Sequence, residues 1–403
     1  MFDYIKIEGF RSFKKVELEM PRLAVLIGPN GGGKSNLLDL MSLMSEAGRG
    51  ELEEAIASRG GFASIAFGFD WFRDILVEFR FRARSGMQGL GGFEEFSEEP
   101  ALDARFALQL KSEGPTPVVS VEEVSEEQDS QSGSTVPVMT RRKRQCVFRS
   151  INKGAGEKTE EGKTLDSDSE LAIFQVKDLH KYPTPYRILK QFQQWRVYRD
   201  ISVGPEAPIR LPRLVRRAVR LLPDGANLGS VLHSIQQRYP DAWEEITEIL
   251  HTACADFRTV SFPAEGGDGK VGLLWREQPF EKEGVSANLL SDGTLKLLCM
   301  VAILKTPNPP PLVCIDEPEL GLHPDWIKLV AELLQDAAAR TQVIVATHSP
   351  QLVGKLEPDE IIVTEKENGE TQMERLSTQD LEKWLRDFNL ADLWLSGHLG
   401  GRP

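Results

Sequence analysis

The sequence is short of the residues that redox and metal chemistry need. Only four cysteines stand among 403 residues, at 146, 254, 299 and 314. No Cys-x-x-Cys pair occurs, which argues against zinc ribbons and thioredoxin-like exchange. Cys299 and Cys314 lie in apolar runs and read as buried thiols. No apolar run approaches the roughly 18–20 residues of a membrane span, and the N-terminus lacks a signal-peptide pattern. A cytoplasmic location without membrane contact is the expectation. Basic residues are outnumbered: 48 Lys and Arg face 61 Asp and Glu, a formal net charge of −13. That excludes a protein coated all over in basic surface. It leaves room for a local nucleic-acid site, because a large share of the acids is concentrated in one stretch, roughly 94–129. Internal repeats are absent, and so is any heptad run long enough for a coiled-coil arm. The remaining composition, 40% hydrophobic and 27% charged, is ordinary for a globular chain of about two to three domains.

One stretch stands out. The apolar run Leu23 to Ile27 reads as a buried strand that empties into Gly28-Pro29-Asn30-Gly31-Gly32-Gly33-Lys34-Ser35-Asn36. Residues 28–35 match the phosphate-binding pattern G-x-x-x-x-G-K-[ST] in the strand–loop–helix setting that the pattern requires. Its glycines let successive N–H groups turn toward a polyphosphate, and the helix that follows adds positive potential. Lys34 is expected at the β- and γ-phosphates, and Ser35 as a ligand of Mg²⁺. The stretch predicts a nucleoside triphosphate site.

Before it, residues 1–20 alternate apolar and polar on either side of a Gly-Phe-Arg-Ser-Phe bend, the pattern of an antiparallel strand pair. After it come a helix through Met41, a second at Glu51–Ser58, the Arg59-Gly60-Gly61-Phe62 break, and strands around 75–81, 106–110, 118–121 and 147–151. The Glu-, Ser- and Gln-rich composition of 122–137 predicts a mobile loop. Two readings stay open for the Arg-Arg-Lys-Arg cluster at 141–144: a solvated strand edge that neutralises the acidic loop, or a contact to a phosphate backbone. Tyr186–Tyr198 is expected to be helical with Trp195 and Tyr198 in the core. Residues 209–222 are expected to form a helix carrying Arg213, Arg216 or Arg217, and Arg220 on one face. Helices at 228–238 and 241–251 precede strands at 257–262 and 271–275.

The C-terminal part supplies the other half of a triphosphate site. Pro311 to Ile315 is a short apolar strand ending in Asp316 and Glu317. An Asp there can hold Mg²⁺, and Glu317 is placed to accept a proton from an attacking water. A further apolar strand, 343–347, delivers His348 to the same edge of a parallel sheet. A structural role for His348 in capping the following turn is the alternative. Residues 290–304 form a strongly apolar helix opened by Ser291-Asp292-Gly293. Ser is a good N-cap and Gly293 admits a close surface. Such an end attracts an anion, although a well-capped core helix has the same pattern.

Taken in order, 28–36, LSDGT at 290–294, VCIDEPELGLHP at 313–324 and ATHSP at 346–350 resemble the ABC-type AAA ATPases. They are most similar to the RecF, SMC and OLD branch, and within it to short bacterial RecF-like ATPases. Those also share the DGANL turn at 224–228 and a Trp394–Pro403 ending. The resemblance implies an α/β fold: an ABC-type P-loop ATPase head, with a parallel RecA-like sheet and an antiparallel β-lobe, carrying an inserted β-rich and helical lobe. The expected segments are 1–80 (first half of the head, with Walker A), 81–180 (β-rich insertion with a mobile acidic loop), 181–289 (helical lobe) and 290–403 (second half of the head, with signature, Walker B and H-loop).

The resemblance also implies an ATP-dependent homodimer, with Ser291 and Gly293 of one copy meeting the γ-phosphate held by the other. Asn36 would lie at the α-phosphate, Arg11 at the nucleotide edge and His348 at the γ-phosphate, with 320–324 facing the dimer. The family's loop glutamine has no counterpart, since no Gln lies between Ser35 and Gln88; Arg59 is the stand-in expected. Neither a zinc-hook arm nor a Toprim nuclease is expected. The leading functional reading is an ATP-hydrolysing switch of RecF type acting on DNA in repair or maintenance. The alternative is an ATPase scaffold of an antiphage or toxin system that controls a separate nuclease or other effector. A membrane-transporter subunit is disfavoured by LSDGT in place of LSGGQ.

Overall fold

The computed structural model describes residues 1–82, 102–114, 116–129, 134–151, 158–176, 178–215, 219–265, 269–278 and 282–400. The chain begins with the antiparallel pair β1 (Phe2–Phe10) and β2 (Phe13–Glu19), in which Ile5 faces Leu18 and Ile7 faces Val16. Alternate residues of both strands are buried, as a half-buried sheet requires. Next come β3 (Leu23–Ile27), buried at every residue, then α1 (Lys34–Ala47), α2 (Leu52–Ser58), α3 (Phe62–Ile65) and β4 (Ile75–Phe81). The strands β5 (Ala104–Glu113), β6 (Thr116–Asp129), β7 (Ser134–Arg142), β8 (Gln145–Ile151) and β9 (Lys158–Thr164) follow. Together they build an antiparallel sheet in the order β2-β1-β4-β5-β6-β7-β8-β9. The boundary expected at 80/81 therefore falls inside one continuous sheet.

The mobile loop expected at 122–137 is instead strand: 122–129 lie in β6 and 134–137 in β7. Residues 130–133, like the acidic stretch 84–100, lie outside the described residues. Composition misleads here because one charge pair is taken inside. Glu122 and Arg141 face each other with fully buried side chains. Glu122 accepts the backbone N–H groups of Ala172 (2.5 Å) and Ile173 (2.9 Å). Arg141 donates to the carbonyls of Lys143 (2.6 Å), Asp168 (3.0 Å) and Glu170. A buried charge survives when every lone pair and proton finds a partner. Val124, Val138 and Met139 supply apolar contact on the same strands.

The chain then forms α4 (Pro183–Gln194) and the short β10 (Arg196–Tyr198). The helix expected through Tyr198 thus stops at Gln194, while Trp195 and Tyr198 are in the core as expected. The described residues of 209–222, namely 209–215 and 219–222, form no α-helix either. A single tight turn spans Pro208–Arg210 and β11 covers Arg213–Leu214. Pro212 lacks an N–H and pushes Leu211 toward extended backbone, which breaks the helical run. Arg220 turns inward onto the Asn308 carbonyl (2.9 Å), and 216–218 lie outside the described residues.

The helices α5 (Leu228–Arg238) and α6 (Pro240–Ala253) stand where the periodicity placed them. Small strands follow, β12 (Phe257–Ser261), β13 (Ala264–Glu265), β14 (Lys270–Val271), β15 (Leu274–Glu277) and β16 (Val285–Ser286), with β11 pairing β14. The last part contains α7 (Asp292–Leu304), β17 (Leu312–Asp316), α8 (Pro324–Arg340), β18 (Gln342–Ala346), α9 (Pro350–Val353), β19 (Ile361–Glu367), β20 (Glu370–Arg375), α10 (Thr378–Leu381) and α11 (Leu390–Leu395). None of the helices among the described residues is long and apolar enough to cross a membrane.

The second large sheet has the order β10-β17-β18-β3-β19-β20, parallel except where β20 returns along β19. It separates two cores, and its strands feed them alternately. Ala24, Leu26, Cys314 and Ile344 pack toward α1, α4 and the antiparallel sheet. Val25, Ile27, Val313 and Val345 pack toward α5, α7 and α8. The unbroken apolar runs Leu23–Ile27, Leu312–Ile315 and Val343–Ala346 follow from this two-sided burial. The architecture is the α/β head with an antiparallel β-lobe that the motifs implied.

Candidate functional site

Three adjacent parallel strands, β17, β18 and β3, end at one edge, and each ends in polar residues. From β3 the loop Gly28 to Gly33 curls into α1. Gly28, Gly31 and Gly33 take positive φ of 142°, 77° and 105°, and the Gly32 N–H closes a turn on the Pro29 carbonyl at 3.0 Å. The Asn30 and Gly31 tip is exposed. Gly28 has no room for a side chain: a Cβ there would lie 2.0 Å from the Thr364 carbonyl oxygen on β19. Gly28→Ala is therefore expected to cost about 1–3 kcal/mol by overpacking against a backbone that cannot retreat. A lowered thermal midpoint together with lost nucleotide binding would show it.

Lys34 is buried and donates to the carbonyls of Gly28 (2.7 Å) and Pro29 (3.0 Å), which curves the loop around its ammonium. Burial holds that ammonium at about 8, below the usual lysine value, against the pull of Asp316, Glu317 and Glu319. A polyphosphate in the loop would favour the charged form again. Burial, and then the charge of Glu317, raise the Asp316 carboxyl, while a hydrogen bond from Ser35 opposes them. Ser35 and Asp316 thus stand together, as a shared metal ion would need. Among the described residues no group of three or more His, Cys, Asp or Glu could hold a metal. A single carboxylate and a hydroxyl fit Mg²⁺, which takes its remaining ligands from phosphates and water.

Glu317 has φ of 48°, an uncommon value for a non-glycine residue, and its N–H donates to the Ala346 carbonyl at 2.8 Å. That bond ties the end of β17 to the end of β18. Two residues on, Glu319 completes the tie. Its Oε1 accepts from the Thr347 hydroxyl (2.6 Å) and the His348 N–H (2.9 Å). Its Oε2 is buried with no hydrogen-bond partner among the described residues, so a third carboxylate stands at this edge that the sequence did not mark. His348 is half-buried, and burial, then the charge of Lys34, lower its pKa. The following turn is capped by Ser349, which accepts from the Leu352 N–H, and not by His348.

Asn36 and Arg11 lie on the flank of α1. The Asn36 amide donates to the Ser12 hydroxyl at 2.7 Å, and the Thr371 hydroxyl donates to the same oxygen at 2.7 Å. Arg11 reaches Asp39 at 2.5 Å, where Arg59 (2.9 Å) and Arg199 (2.8 Å) converge as well. Burial alone would raise the Asp39 carboxyl, but these three guanidinium groups hold it below the usual range. Arg59 is also bonded to Glu46 (2.6 Å) and the Ala55 carbonyl (2.7 Å). Arg59, the expected stand-in for the loop glutamine, is thus held at Asp39 and Glu46, and it is Arg199 whose charge acts on Asp316. Tyr198 on β10 lies across from Ile315 on β17, so Arg199 emerges next to Asp316, and its charge is felt there. No sequence signal marked it, because a three-residue strand directly after a helix carries no readable period.

Ser291 and Gly293 sit apart from the phosphate loop's own strands, at the start of α7. Ser291 caps the helix, accepting from the Thr294 N–H at 3.1 Å. A Cβ on Gly293 would meet the Gly321 carbonyl at 3.0 Å, so the close surface that Gly293 admits is the loop after Glu317. Leu289 and Leu320 stand exposed beside it, at 78% and 57%.

Of the Arg-Arg-Lys-Arg cluster, Arg141 is buried, Lys143 faces Glu113 (3.5 Å) and Arg144 faces Asp168 (3.5 Å). The exposed Lys143 and Arg144 fit the solvated, acid-neutralising edge, whereas Arg141 lies in the interior.

Comparison with known proteins agrees with this fold. The family model described as "AAA domain, putative AbiEii toxin, Type IV TA system" matches residues 149–354, and one described as "AAA ATPase domain" matches residues 1–68. The chromosome partition protein Smc of Methanocaldococcus jannaschii is 27% identical over 125 residues, covering 28% of this chain and 11% of that protein. The match therefore spans about a tenth of that relative's length. Among solved structures, the Smc head bound to the C-winged helix domain of ScpA superposes with a TM-score of 0.55 at 15% identity, over 94% of this chain and 99% of that one. The Smc head with an extended coiled coil bound to the C-terminal domain of ScpA, from Pyrococcus furiosus, gives 0.50 at 12% identity, over 96% and 98%.

Proposed function

Because the chain belongs to the AAA-domain family that matches it over residues 149–354, and is an ABC-type ATPase that binds and hydrolyses ATP, we propose that it works as a two-copy switch. ATP would join two heads face to face, and hydrolysis would release them. The observation that supports this reading is the separation of two groups of residues within each chain. Lys34, Ser35, Asp316 and Glu317 gather at one sheet edge, whereas Ser291 and Gly293 open a separate helix beside the exposed Leu289 and Leu320. A second copy placing its α7 end over the phosphate loop would join them and cover those leucines.

In this reading the backbone N–H groups of Gly28–Asn36 cradle the phosphates, and Lys34 meets the terminal oxygens. Ser35 and Asp316 would hold Mg²⁺, which supplies charge neutralisation at the phosphates. Glu317 accepts the proton of the attacking water as its oxygen bonds to the γ-phosphorus and the bond to ADP breaks. His348 donates a hydrogen bond to the γ-phosphate, and Glu319 fixes the backbone that carries it. Ser291 and Gly293 of the second copy present a helix N-terminus to the same phosphate. Asn36 and Arg11 line the rest of the nucleotide.

Two outputs fit this engine. The first is action on DNA, supported by the likeness to Smc and by the exposed Arg142. The second is control of a separate effector in a toxin or antiphage system, favoured by the toxin description of the matching family. Titration of duplex DNA at rising salt, with and without a non-hydrolysable ATP analogue, separates them. The DNA reading expects analogue-dependent binding that weakens steeply with salt. Absence of binding at low salt in both states would leave the effector reading. Sedimentation velocity on the same samples should show the analogue turning monomer into dimer.

A further inference from the structure

We propose that Arg210 is the positioning residue for the signature turn, Leu289 to Gly293, holding it in the shape that a second copy's nucleotide meets. The proposal rests on the two-copy reading above. Arg210 lies in the connector that leaves β10, and its side chain is 5% exposed. Its Nε donates to the carbonyls of Val203 (2.9 Å) and Gly204 (3.0 Å). Its Nη1 donates to those of Ala287 (2.8 Å), Asn288 (3.2 Å) and Leu290 (2.8 Å), and its Nη2 to Asp292 Oδ1 (2.5 Å). One planar guanidinium thus satisfies three inward-turned carbonyls just before α7 and the first acid of that helix. Lysine has neither the donors nor the fixed fork for this.

Two consequences bear on ATP. With the carbonyls of 287, 288 and 290 turned onto Arg210, Leu289 projects into solvent and Ser291 is left free to cap the helix. Asp292 is 61% exposed at the first helical position. Unpaired, its carboxylate would oppose any phosphate approaching that end. Drawn onto Arg210, it is largely neutralised, and the helix end can receive an anion. The connector also starts at Arg199, beside Asp316. One short stretch therefore joins the edge of a chain's own site to the turn it offers its partner.

Arg210→Gln is expected to lower the ATPase rate at least about tenfold while leaving the affinity for a fluorescent ATP analogue within about twofold, because the phosphate loop is untouched. Arg210→Lys, which keeps the charge but not the fork, should recover less than half of the loss. The deciding measurement mixes inactive variants. A dimer of Lys34→Ala with Arg210→Gln has one site built wholly from intact halves, so a 1:1 mixture should regain about a quarter of the wild-type rate in a symmetric two-site dimer. The control pair is Lys34→Ala with Ser291→Glu. Restoration by the control and not by the Arg210 pair overturns the role of Arg210. Failure of both pairs removes the two-copy reading itself. Loss of analogue binding by Arg210→Gln alone would show a general structural defect, and that too overturns the proposal.

Discussion

Glu317→Gln is expected to bind ATP as the wild type does, to hydrolyse it about 10²–10⁴-fold more slowly, and to accumulate as an ATP-held dimer. The amide has the shape of the carboxyl group but cannot take a proton from water at neutral pH. The backbone supports this reading of a narrow chemical defect. The positive φ at 317 and the bond from its N–H to the Ala346 carbonyl belong to the main chain, so the substitution leaves them in place. Removing one negative charge near Lys34 and Asp316 also lessens repulsion of a triphosphate. Phosphate release under saturating ATP measures the first effect and sedimentation velocity the second. A monomer at saturating ATP would count heavily against the two-copy switch.

Glu122→Ala is expected to destabilise the β-lobe by about 3–5 kcal/mol, the cost of leaving a buried charge without its partner. It would strand the Arg141 guanidinium and take the acceptor from the N–H groups of Ala172 and Ile173. Urea unfolding followed by far-UV circular dichroism would report the loss. Replacing both partners, Glu122→Leu with Arg141→Met, should recover only part of it: the stranded charge is gone, but the N–H groups of Ala172 and Ile173 and the carbonyls of Lys143, Asp168 and Glu170 still lack partners. If the single and double variants unfolded at the same urea concentration, the pair would not be what holds β6 and β7 against the segment 167–173.

This pair also shows where reading the sequence stops. The parallel strands and the phosphate loop were legible, because two-sided burial leaves unbroken apolar runs and because the Gly-x-x-x-x-Gly-Lys-Ser spacing is specific. Ser291 was legible as a cap for the same local reason. The strands at 122–137 were not: their stability comes from partners far along the chain, which turn acids that look solvated into interior groups. The helix expected at 209–222 failed at a single residue, Pro212. Arg199 and Arg210 escaped notice because their partners are a distant carboxylate and backbone carbonyls, and neither leaves a spacing to read. Glu319 could have been noticed, since a third acid follows Asp316-Glu317 within the same short loop.

The strand order β18-β3-β19 has a consequence for how the chain comes into being. β3 is made almost first, yet both of its neighbours in the sheet are made almost last, after Gln342 and Ile361. During synthesis the β-lobe, whose strands all lie before residue 165, can pair from contacts within its own stretch. The phosphate loop, by contrast, stays on a strand that lacks one or both of its neighbours until the ribosome has passed Glu367. A half-made chain therefore lacks the β19 carbonyl that closes on Gly28, and nucleotide binding is expected to become available in one late step, after α7 has been made.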